Sequence, residues 1–512
     1  MDLLVILPDR RIALDVPEES TLAAALERRG ILLDLRCGGL GRCGNCTVEL
    51  VSGTFRSRGK TLTGGPGVKA LSCITRPAGK SGVIAIPKQT LLPEADTEHE
   101  TGSAGVVIPP GTDAAVFDLG TTTVVCLLIR NGTIQGRSRV LNRQSVLGDN
   151  VLDRIRAAAA PEGLRRAQNL LVESMMEAFN AIPDPSSAPV PVVAVAANTV
   201  VTYLLHGADP APLGCAPFAL PRKEFPDCPA GSVGLTGKLQ DAVLRTAPLA
   251  SAFLGGDAVA GAAALALARS GEPELLVDLG TNCEMILAAK GKFFGTSAAA
   301  GPAFERRFSR AGRNVITRLA MSQGGAFRRE PQSCRAPEGI CGSALLDWLR
   351  LGRERGFLLE NGALVPERLK ALGCLAQDRS GRPACAVAPG ILLSGEDVEA
   401  LLKAKAAIRS ALDLLCEEAG VSFAQLRRIH LAGAFAGGLD PAAAEAVGLF
   451  PHAAPETFLS AGNTALAGAL RLAVTEEFAE KCSAVAQHLL PLDLTARPDF
   501  GERFLKEMRL PR

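Results

Sequence analysis

The stretch that most constrains this chain occurs twice. Ala114-Ala115-Val116-Phe117-Asp118-Leu119-Gly120-Thr121-Thr122-Thr123 returns 160 residues further on, in outline, as Leu275-Leu276-Val277-Asp278-Leu279-Gly280-Thr281-Asn282, with Leu127 and Leu287 at the same offset after each Asp. In both copies an apolar run enters Asp-Leu-Gly-Thr, and a second run ends at Asn131-Gly132 or Lys290-Gly291, the pattern of a β-hairpin with a polar tip. One Asp-Gly-Thr is an ordinary turn, but two at equivalent places imply two related lobes. Glycine removes the side chain where backbone N–H groups approach phosphate, threonine hydroxyls add donors, and a carboxylate holds a divalent cation or its waters. Asp118 and Asp278 are therefore candidate Mg²⁺ carboxylates. Gly120, Thr121, Thr122, Gly280, Thr281 and Asn282 are candidate phosphate contacts for a nucleotide gripped from both sides.

A nucleotide also needs a slot for its base. Ile429-His430-Leu431-Ala432-Gly433-Ala434-Phe435-Ala436-Gly437-Gly438 is an apolar strand breaking into small residues, where a ring can lie flat against backbone; Gly433, Ala434 and Phe435 are the candidate adenosine contacts. Two helix-like stretches nearly bare of bulk, Leu254–Ala264 and Ser460–Ala469, fit a hinge between lobes, because small residues let helices cross at close approach. Alanine-rich helices also pack closely without any functional reason. Asp257, the carboxylate in the first of them, either lines the cleft as a catalytic group or caps its helix.

Ahead of the repeat lies Arg36-Cys37-Gly38-Gly39-Leu40-Gly41-Arg42-Cys43-Gly44-Asn45-Cys46, a Cys-x5-Cys-x2-Cys loop followed by Cys73 in Ala70-Leu71-Ser72-Cys73. Three thiols plus one is the layout of a plant-type [2Fe–2S] site, whose own spacing is four and then two. The glycines let backbone N–H groups point at the sulfurs. A zinc knuckle or four buried thiols are the alternatives, but zinc sites usually show two Cys-x-x-Cys hooks and here there is one. Arg36 and Arg42 beside the ligands are docking charges or solvated loop residues. Strands are expected over Leu3–Leu7 and Arg11–Val16, then a helix over Thr21–Arg29 capped by Ser20, and further strands over Thr47–Val51 and Gly82–Ile86, with the module ending near Pro87.

A chain of 512 residues with 47% apolar content has material for several cores. Its 55 Lys and Arg nearly balance 53 Asp and Glu, so no net field argues for nucleic acid or an anionic membrane. With no basic leader and no eighteen-residue apolar window, the expectation is a cytoplasmic, soluble protein. Of its 14 cysteines, the pairs Cys334/Cys341 and Cys374/Cys385 lack ligand hooks and read as buried thiols. Residues 88–112 are polar and rich in Pro, Gly, Thr and Glu, and read as a linker. The resulting division is an iron–sulfur module over 1–87, a linker over 88–112, a first lobe over 113–270 and a second over 271–512.

Two phosphate hairpins, an adenosine stretch and two connecting helices resemble the ASKHA architecture of acetate and sugar kinases, Hsp70 and actin. With the cysteine module in front, the whole chain resembles the reductive activators of corrinoid proteins. The likeness extends to Asn142-Arg143-Gln144, Leu147-Gly148-Asp149, Ala197-Asn198-Thr199-Val200, Ala216-Pro217-Phe218, Ala300-Gly301-Pro302-Ala303-Phe304-Glu305, Gly339-Ile340-Cys341-Gly342-Ser343 and Gly462-Asn463-Thr464-Ala465. It departs at Arg306-Arg307, where relatives have Gly, at Ala434 in place of Gly, and at Ser72 in place of Ala. The resemblance implies a multidomain α/β protein: a β-grasp [2Fe–2S] ferredoxin-like domain held through Cys37, Cys43, Cys46 and Cys73, then a two-lobed, RNase H-like ATPase region using ATP and Mg²⁺. It implies an enzyme that passes one electron to the Co(II) of a partner's corrinoid, regenerating Co(I) for methyl transfer. The implied partners are the corrinoid protein of a methyltransferase system and a low-potential donor such as a ferredoxin or flavoprotein; a homodimer is left open. The rival readings are a nucleotide-binding iron–sulfur redox sensor and an ASKHA kinase with an accessory redox domain.

Overall fold

The computed structural model describes residues 1–35, 37–91, 106–148, 150–267, 271–301, 315–331, 337, 339–378, 380–433 and 438–511. At the N-terminus, β1 (Asp2–Ile6), β2 (Arg11–Asp15), α1 (Leu22–Glu27), β3 (Thr47–Ser57), β4 (Lys60–Thr63), β5 (Lys69–Leu71) and β6 (Thr75–Ala85) form one unit. The sheet runs β2-β1-β6-β3-β4, with β5 on the inner end of β3; β1 and β6 are parallel and the other pairs antiparallel. The cap of α1 is Thr21, whose hydroxyl accepts from the Ala24 N–H at 3.2 Å, one residue beyond the expected Ser20. The strands expected over Thr47–Val51 and Gly82–Ile86 are longer, because they pair with each other across β3 and β6.

The unit also extends past Pro87. Asp34 N–H donates to Thr90 O, the Thr90 hydroxyl donates to Thr47 O at 2.8 Å, and Leu91 bridges Leu33. At the other end of the expected linker, Gly132 N–H donates to Thr112 O, while Val106 and Ile108 pack on the lobes. The stretch between, residues 92–105, lies outside the described residues.

The rest is a duplication in three dimensions. The first lobe holds β7 (Ala114–Leu119), β8 (Thr123–Arg130), β9 (Thr133–Leu141), α2 (Val151–Ala157), α3 (Pro161–Asn180), β10 (Val192–Ala197), α4 (Thr199–Leu205), β11 (Cys228–Pro229), β12 (Val243–Thr246) and α5 (Gly256–Leu265). Its sheet order is β11-β12-β10-β7-β8-β9: an antiparallel meander whose first strand is joined by the parallel β10, beside which β12 lies parallel. The second lobe repeats this with β13 (Glu274–Leu279), β14 (Cys283–Ala289) and β15 (Lys292–Ala298). A set of short strands follows: β16 (Val315–Ile316), β17 (Arg318–Met321), β18 (Phe327–Glu330), β19 (Gly339–Ile340), β20 (Leu375–Gln377), β21 (Pro383–Ala388) and β22 (Ile391–Ser394). Among and after them run α6 (Gly342–Arg355), α7 (Pro366–Ala371), α8 (Gly395–Ala419), β23 (Arg428–Ala432), α9 (Pro441–Ala446), β24 (Phe458–Gly462), α10 (Thr464–Val474), α11 (Glu477–His488), β25 (Leu489–Pro491) and α12 (Phe500–Glu507). In the order β24-β23-β13-β14-β15-β25 the first five strands repeat the pairing of β12-β10-β7-β8-β9, while β25 joins β15 at the edge opposite to that where β11 joins β12. Both meanders turn at residues with positive φ in succession, Asn131-Gly132 and Lys290-Gly291, as tight hairpins require.

The lobes meet where α5 crosses α10, and one apolar cluster with Val259, Ala260, Leu466 and Leu470 spans the junction. Contact is nearly backbone to backbone: a Cβ at Gly468 would sit 2.6 Å from Ala260 O, and one at Gly261 would sit 2.7 Å from the Thr464 hydroxyl. The second small-residue stretch is only partly helical, since Ser460–Gly462 ends β24 and Asn463 caps α10 through Leu466 N–H.

Candidate functional site

The two hairpin tips face each other, and the hydroxyls of Thr122 and Thr281 lie 3.3 Å apart. The tips differ in length. Leu119 pairs with Val124 across Gly120-Thr121-Thr122-Thr123, whereas Leu279 pairs with Cys283 across Gly280-Thr281-Asn282 alone. The equal sequence offset therefore hides a register slip, and a slip by one residue exchanges the faces of a strand. Asp118 stands opposite Val125, while Asp278 stands opposite Glu284.

That slip gives the two carboxylates different company. Asp118 Oδ2 accepts a 2.7 Å hydrogen bond from Asn463 Nδ2 at the start of α10. The first tip is further held by Asn198 Nδ2 donating to Thr121 Oγ1 at 3.1 Å, by Asn142 Nδ2 donating to Gly120 O at 2.8 Å, and by Arg154 Nη2 donating to Thr121 O. Asp278 instead shares its end of the cleft with Glu284 and with Asp257 from the first turn of α5. Burial raises the Asp257 carboxyl to about 6. Burial, then the charges of Asp257 and Asp278, push Glu284 well above the usual carboxylate range, against the opposing pull of the Ser297 hydroxyl, which donates to it at 3.1 Å, and of its own backbone N–H. The N-cap of α5 is Gly255, and Asp257 in the first turn accepts from the Ala258 N–H at 2.8 Å while its charge also reaches Glu284.

Gly433, at φ +89°, packs against the second tip, where a Cβ would come within 2.6 Å of Leu279 O and 2.8 Å of Asp278 Oδ1. The rest of the adenosine assignment, Ala434 and Phe435, lies outside the described residues, as do Arg36, Asp149, residues 302–307 and Cys334. Glu284, Asn463, Arg154 and Asn142 were not singled out as site residues from the sequence. The signal for Glu284 was a lone acid in the apolar run Cys283–Ala289; that for Arg154 was an arginine on the buried side of a short helix.

The cysteine loop has its own geometry. Cys46 and Cys73 are buried with Sγ atoms 3.3 Å apart, and the half-buried Cys37 is in thiol contact with the exposed Cys43. Among the described residues no three metal-ligating side chains converge on one point. Two thiol pairs suit two irons, whereas one zinc requires its ligands around a single centre. Backbone N–H groups of Leu40, Arg42 and Cys43 reach the Cys37 sulfur, that of Asn45 reaches Cys43, and that of Gly41 reaches Cys73. Four positive-φ glycines of the loop, Gly38, Gly39, Gly41 and Gly44, make that convergence of donors accessible. Hydrogen bonding from Cys73 draws the Cys46 thiol down to about 6. Arg42 is exposed beside them. Cys374 and Cys385 are buried against each other, with Trp348 Nε1 donating to Cys385 at 3.4 Å.

Three family profiles match in succession: a 2Fe-2S iron–sulfur cluster binding domain over residues 6–78, the RACo middle region over 114–270, and the C-terminal ASKHA domain of RACo over 272–512. The corrinoid activation enzyme RamQ of Eubacterium limosum is 29% identical over 427 residues, which cover 76% of this chain and 69% of RamQ. A [Co(II) methylated amine-specific corrinoid protein] reductase of Methanosarcina barkeri is 26% identical over 243 residues, 43% of this chain and 42% of that protein. A solved reductive activator for corrinoid,iron-sulfur protein shares the fold with a TM-score of 0.73 at 21% identity, covering 100% of this chain and 99% of that one. With both RACo regions matched end to end behind an iron–sulfur module, the chain belongs to the RACo family.

Proposed function

We propose that the chain reductively activates a corrinoid protein: one electron, taken from a low-potential ferredoxin or flavoprotein, passes through the N-terminal module to the partner's Co(II), giving Co(I), and ATP between the lobes drives the conformational work. The observation that carries this reading is the pairing of Cys37 with Cys43 and of Cys46 with Cys73, in front of a duplicated hairpin cleft on the same chain. A [2Fe–2S] cluster, when bound, supplies one-electron transfer at low potential. The loop amides of Leu40, Gly41, Arg42, Cys43 and Asn45 would offset the negative charge on the sulfurs, and the exposed Cys43 marks the edge nearest an incoming partner.

In the cleft, Thr121 and Thr122 would present donors to phosphate from one side and Thr281 and Asn282 from the other, with Gly120 and Gly280, whose own N–H groups close the turns onto Thr123 O and Asn282 O, leaving room for the close approach. Asp278, Asp257 and Glu284 form an acidic end whose like charges a Mg²⁺ ion would relieve, with Asp118 held across from it by Asn463. Gly433 would lie under the nucleoside. The unit 1–87, continued to Leu91, would then be the electron-carrying module, and 113–270 and 271–512 the two nucleotide lobes. No helix among the described residues is long and apolar enough to cross a membrane, in keeping with a cytoplasmic site of action.

The test mixes reduced protein, Mg-ATP and a Co(II) corrinoid protein under argon and follows Co(I) absorbance together with phosphate release. Co(I) formation that requires ATP is the expected result. Its absence with every candidate partner defeats the proposal. Iron analysis supplies an independent check: two irons per chain are expected, and zinc in their place would make the loop structural.

A further inference from the structure

The iron–sulfur module is not simply tethered to the first lobe; it is packed on it, and the contact begins beside a cluster ligand. A Cβ at Gly38, next to Cys37, would sit 2.8 Å from Leu147 O. Arg166 on α3 grips both carboxylate oxygens of Glu27, at 2.7 and 2.6 Å. One apolar cluster runs from Leu22, Leu26 and Leu35 of the module into Leu147, Ile155 and Leu170 of the lobe.

The same few residues reach the first hairpin tip. Leu147 closes a single-turn segment, Arg143–Leu147, capped by Asn142. Asn142 donates from Nδ2 to Gly120 O at 2.8 Å and from its backbone N–H to Thr122 O at 2.9 Å. Arg154 donates to Thr121 O through Nη2 and to Gln144 Oε1 through Nη1 at 3.0 Å, and Gln144 Nε2 donates to Ala167 O at 2.9 Å, the residue beside Arg166. Asn142, Gln144 and Arg154 are fully buried, so water cannot substitute for any link. All three carbonyls of Gly120, Thr121 and Thr122 are thus engaged; the N–H groups that share a peptide unit with the first two, those of Thr121 and Thr122, are candidate phosphate donors, while the Gly120 N–H closes the turn onto Thr123 O at 2.9 Å.

Resting on the nucleotide reading of that tip, we propose that Asn142, Gln144 and Arg154 are positioning residues that couple occupancy of the first hairpin to docking of the iron–sulfur module. An anion at the N–H end of a peptide unit polarises it and strengthens the bond accepted by its carbonyl. Phosphate at the tip therefore tightens the grip of Asn142 and Arg154, stiffens residues 143–147, and clamps Gly38 against Leu147. By linkage, loosening the docked module weakens nucleotide binding by the same factor.

The experiment is amide hydrogen exchange on the full-length protein with and without Mg²⁺ and a non-hydrolysable ATP analogue, alongside calorimetric affinity for that analogue. In the wild type, exchange over 37–41 and 143–148 slows about fivefold or more on binding, the lower range of measured couplings. In Arg154→Met and Gln144→Leu the analogue binds without slowing 37–41. Glu27→Gln, at the half-exposed pair that leaves the core intact, weakens analogue binding about two- to fivefold and decides the matter where a buried variant does not fold. The coupling is refuted by a wild type that binds the analogue with exchange over 37–41 unchanged or faster, by an Arg154→Met variant that keeps the full slowing, or by unaltered affinity in Glu27→Gln. A wild type that binds no analogue refutes the nucleotide reading itself, and the coupling with it.

Discussion

The two lobes share a strand order and differ in how they treat charge. The first neutralises what it buries: Asp118 meets an amide, and at the far end of the sheet Arg130 binds Asp113 at 2.9 Å and Asp184 at 2.8 Å, with Lys238 also on Asp184 at 2.8 Å. The second sets Asp278 opposite Glu284 with Asp257 close by, where among the described residues Glu284 accepts from the Ser297 hydroxyl and Asp257 from the Ala258 N–H. One lobe pairs its buried charges with opposite ones, and the other gathers three carboxyl groups at one end of the cleft. Duplication supplied the same scaffold twice, and a hairpin tip shorter by one residue turned a glutamate toward one aspartate where the other has valine.

The largest effect expected from this contrast is on stability. Arg130→Met leaves Asp113 without its cation and Asp184 with Lys238 alone, and costs about 3 kcal/mol in chemical denaturation. Hydrogen bonding to Arg130, then to Lys238, holds Asp184 down to about 2, against an unfolded value of about 4. That stabilisation is complete above pH about 4 and is lost as pH falls toward 2. The acidic end of the cleft has the opposite slope. Asp257 is raised to about 6, so its folded form retains a proton that the unfolded chain has released. The Asp257 contribution to metal-free stability is therefore full below pH about 4 and is lost as pH rises through 6, by up to about 3 kcal/mol. Melting curves across pH 3 to 8, with and without Mg-ATP, separate the limbs, and a metal-free curve that rises between pH 4 and 7 contradicts the assignment for Asp257.

Turnover sharpens the comparison next. Asp278→Asn lowers Mg-ATP hydrolysis about 100-fold, whereas Asp118→Asn, already bonded to an amide, lowers it about tenfold. Equal losses would show that the tips are functionally equivalent. The smallest expected effect is that of Glu284→Gln, which replaces a carboxyl that must keep its proton in the metal-free fold with a neutral amide and raises metal-free stability at neutral pH by about 1 kcal/mol while weakening Mg²⁺. A metal-free melt below that of the wild type would mean that Glu284 is satisfied by a partner.

What could be read from the chain followed the range of the interactions. The hairpins, their Asn131-Gly132 and Lys290-Gly291 turns, and the cysteine loop are local, and their residues lie together as expected. The Asp118–Asn463 bond joins residues 345 apart, and the slip at Glu284 depends on the number of tip residues left unpaired, which offset counting cannot see. The docking of Gly38 on Leu147 was hidden because it is a backbone contact, and backbone carries no letter in a sequence. The expected linker shrank for a related reason: Thr90 and Leu91 look polar and neutral in composition, yet complete the module through bonds to Thr47 and Leu33.

The crossing of α5 and α10 has a mechanical meaning. With Gly468 pressed against Ala260 and Gly261 against Thr464, the helices act as a fulcrum with no padding. The tips carrying Thr122 and Thr281 are the ends of the two arms, so a fraction of an ångström at the fulcrum is magnified where the hydroxyls touch. A single methyl group at Gly468 would serve as a wedge, prising the jaws apart from behind without touching a residue that meets the load.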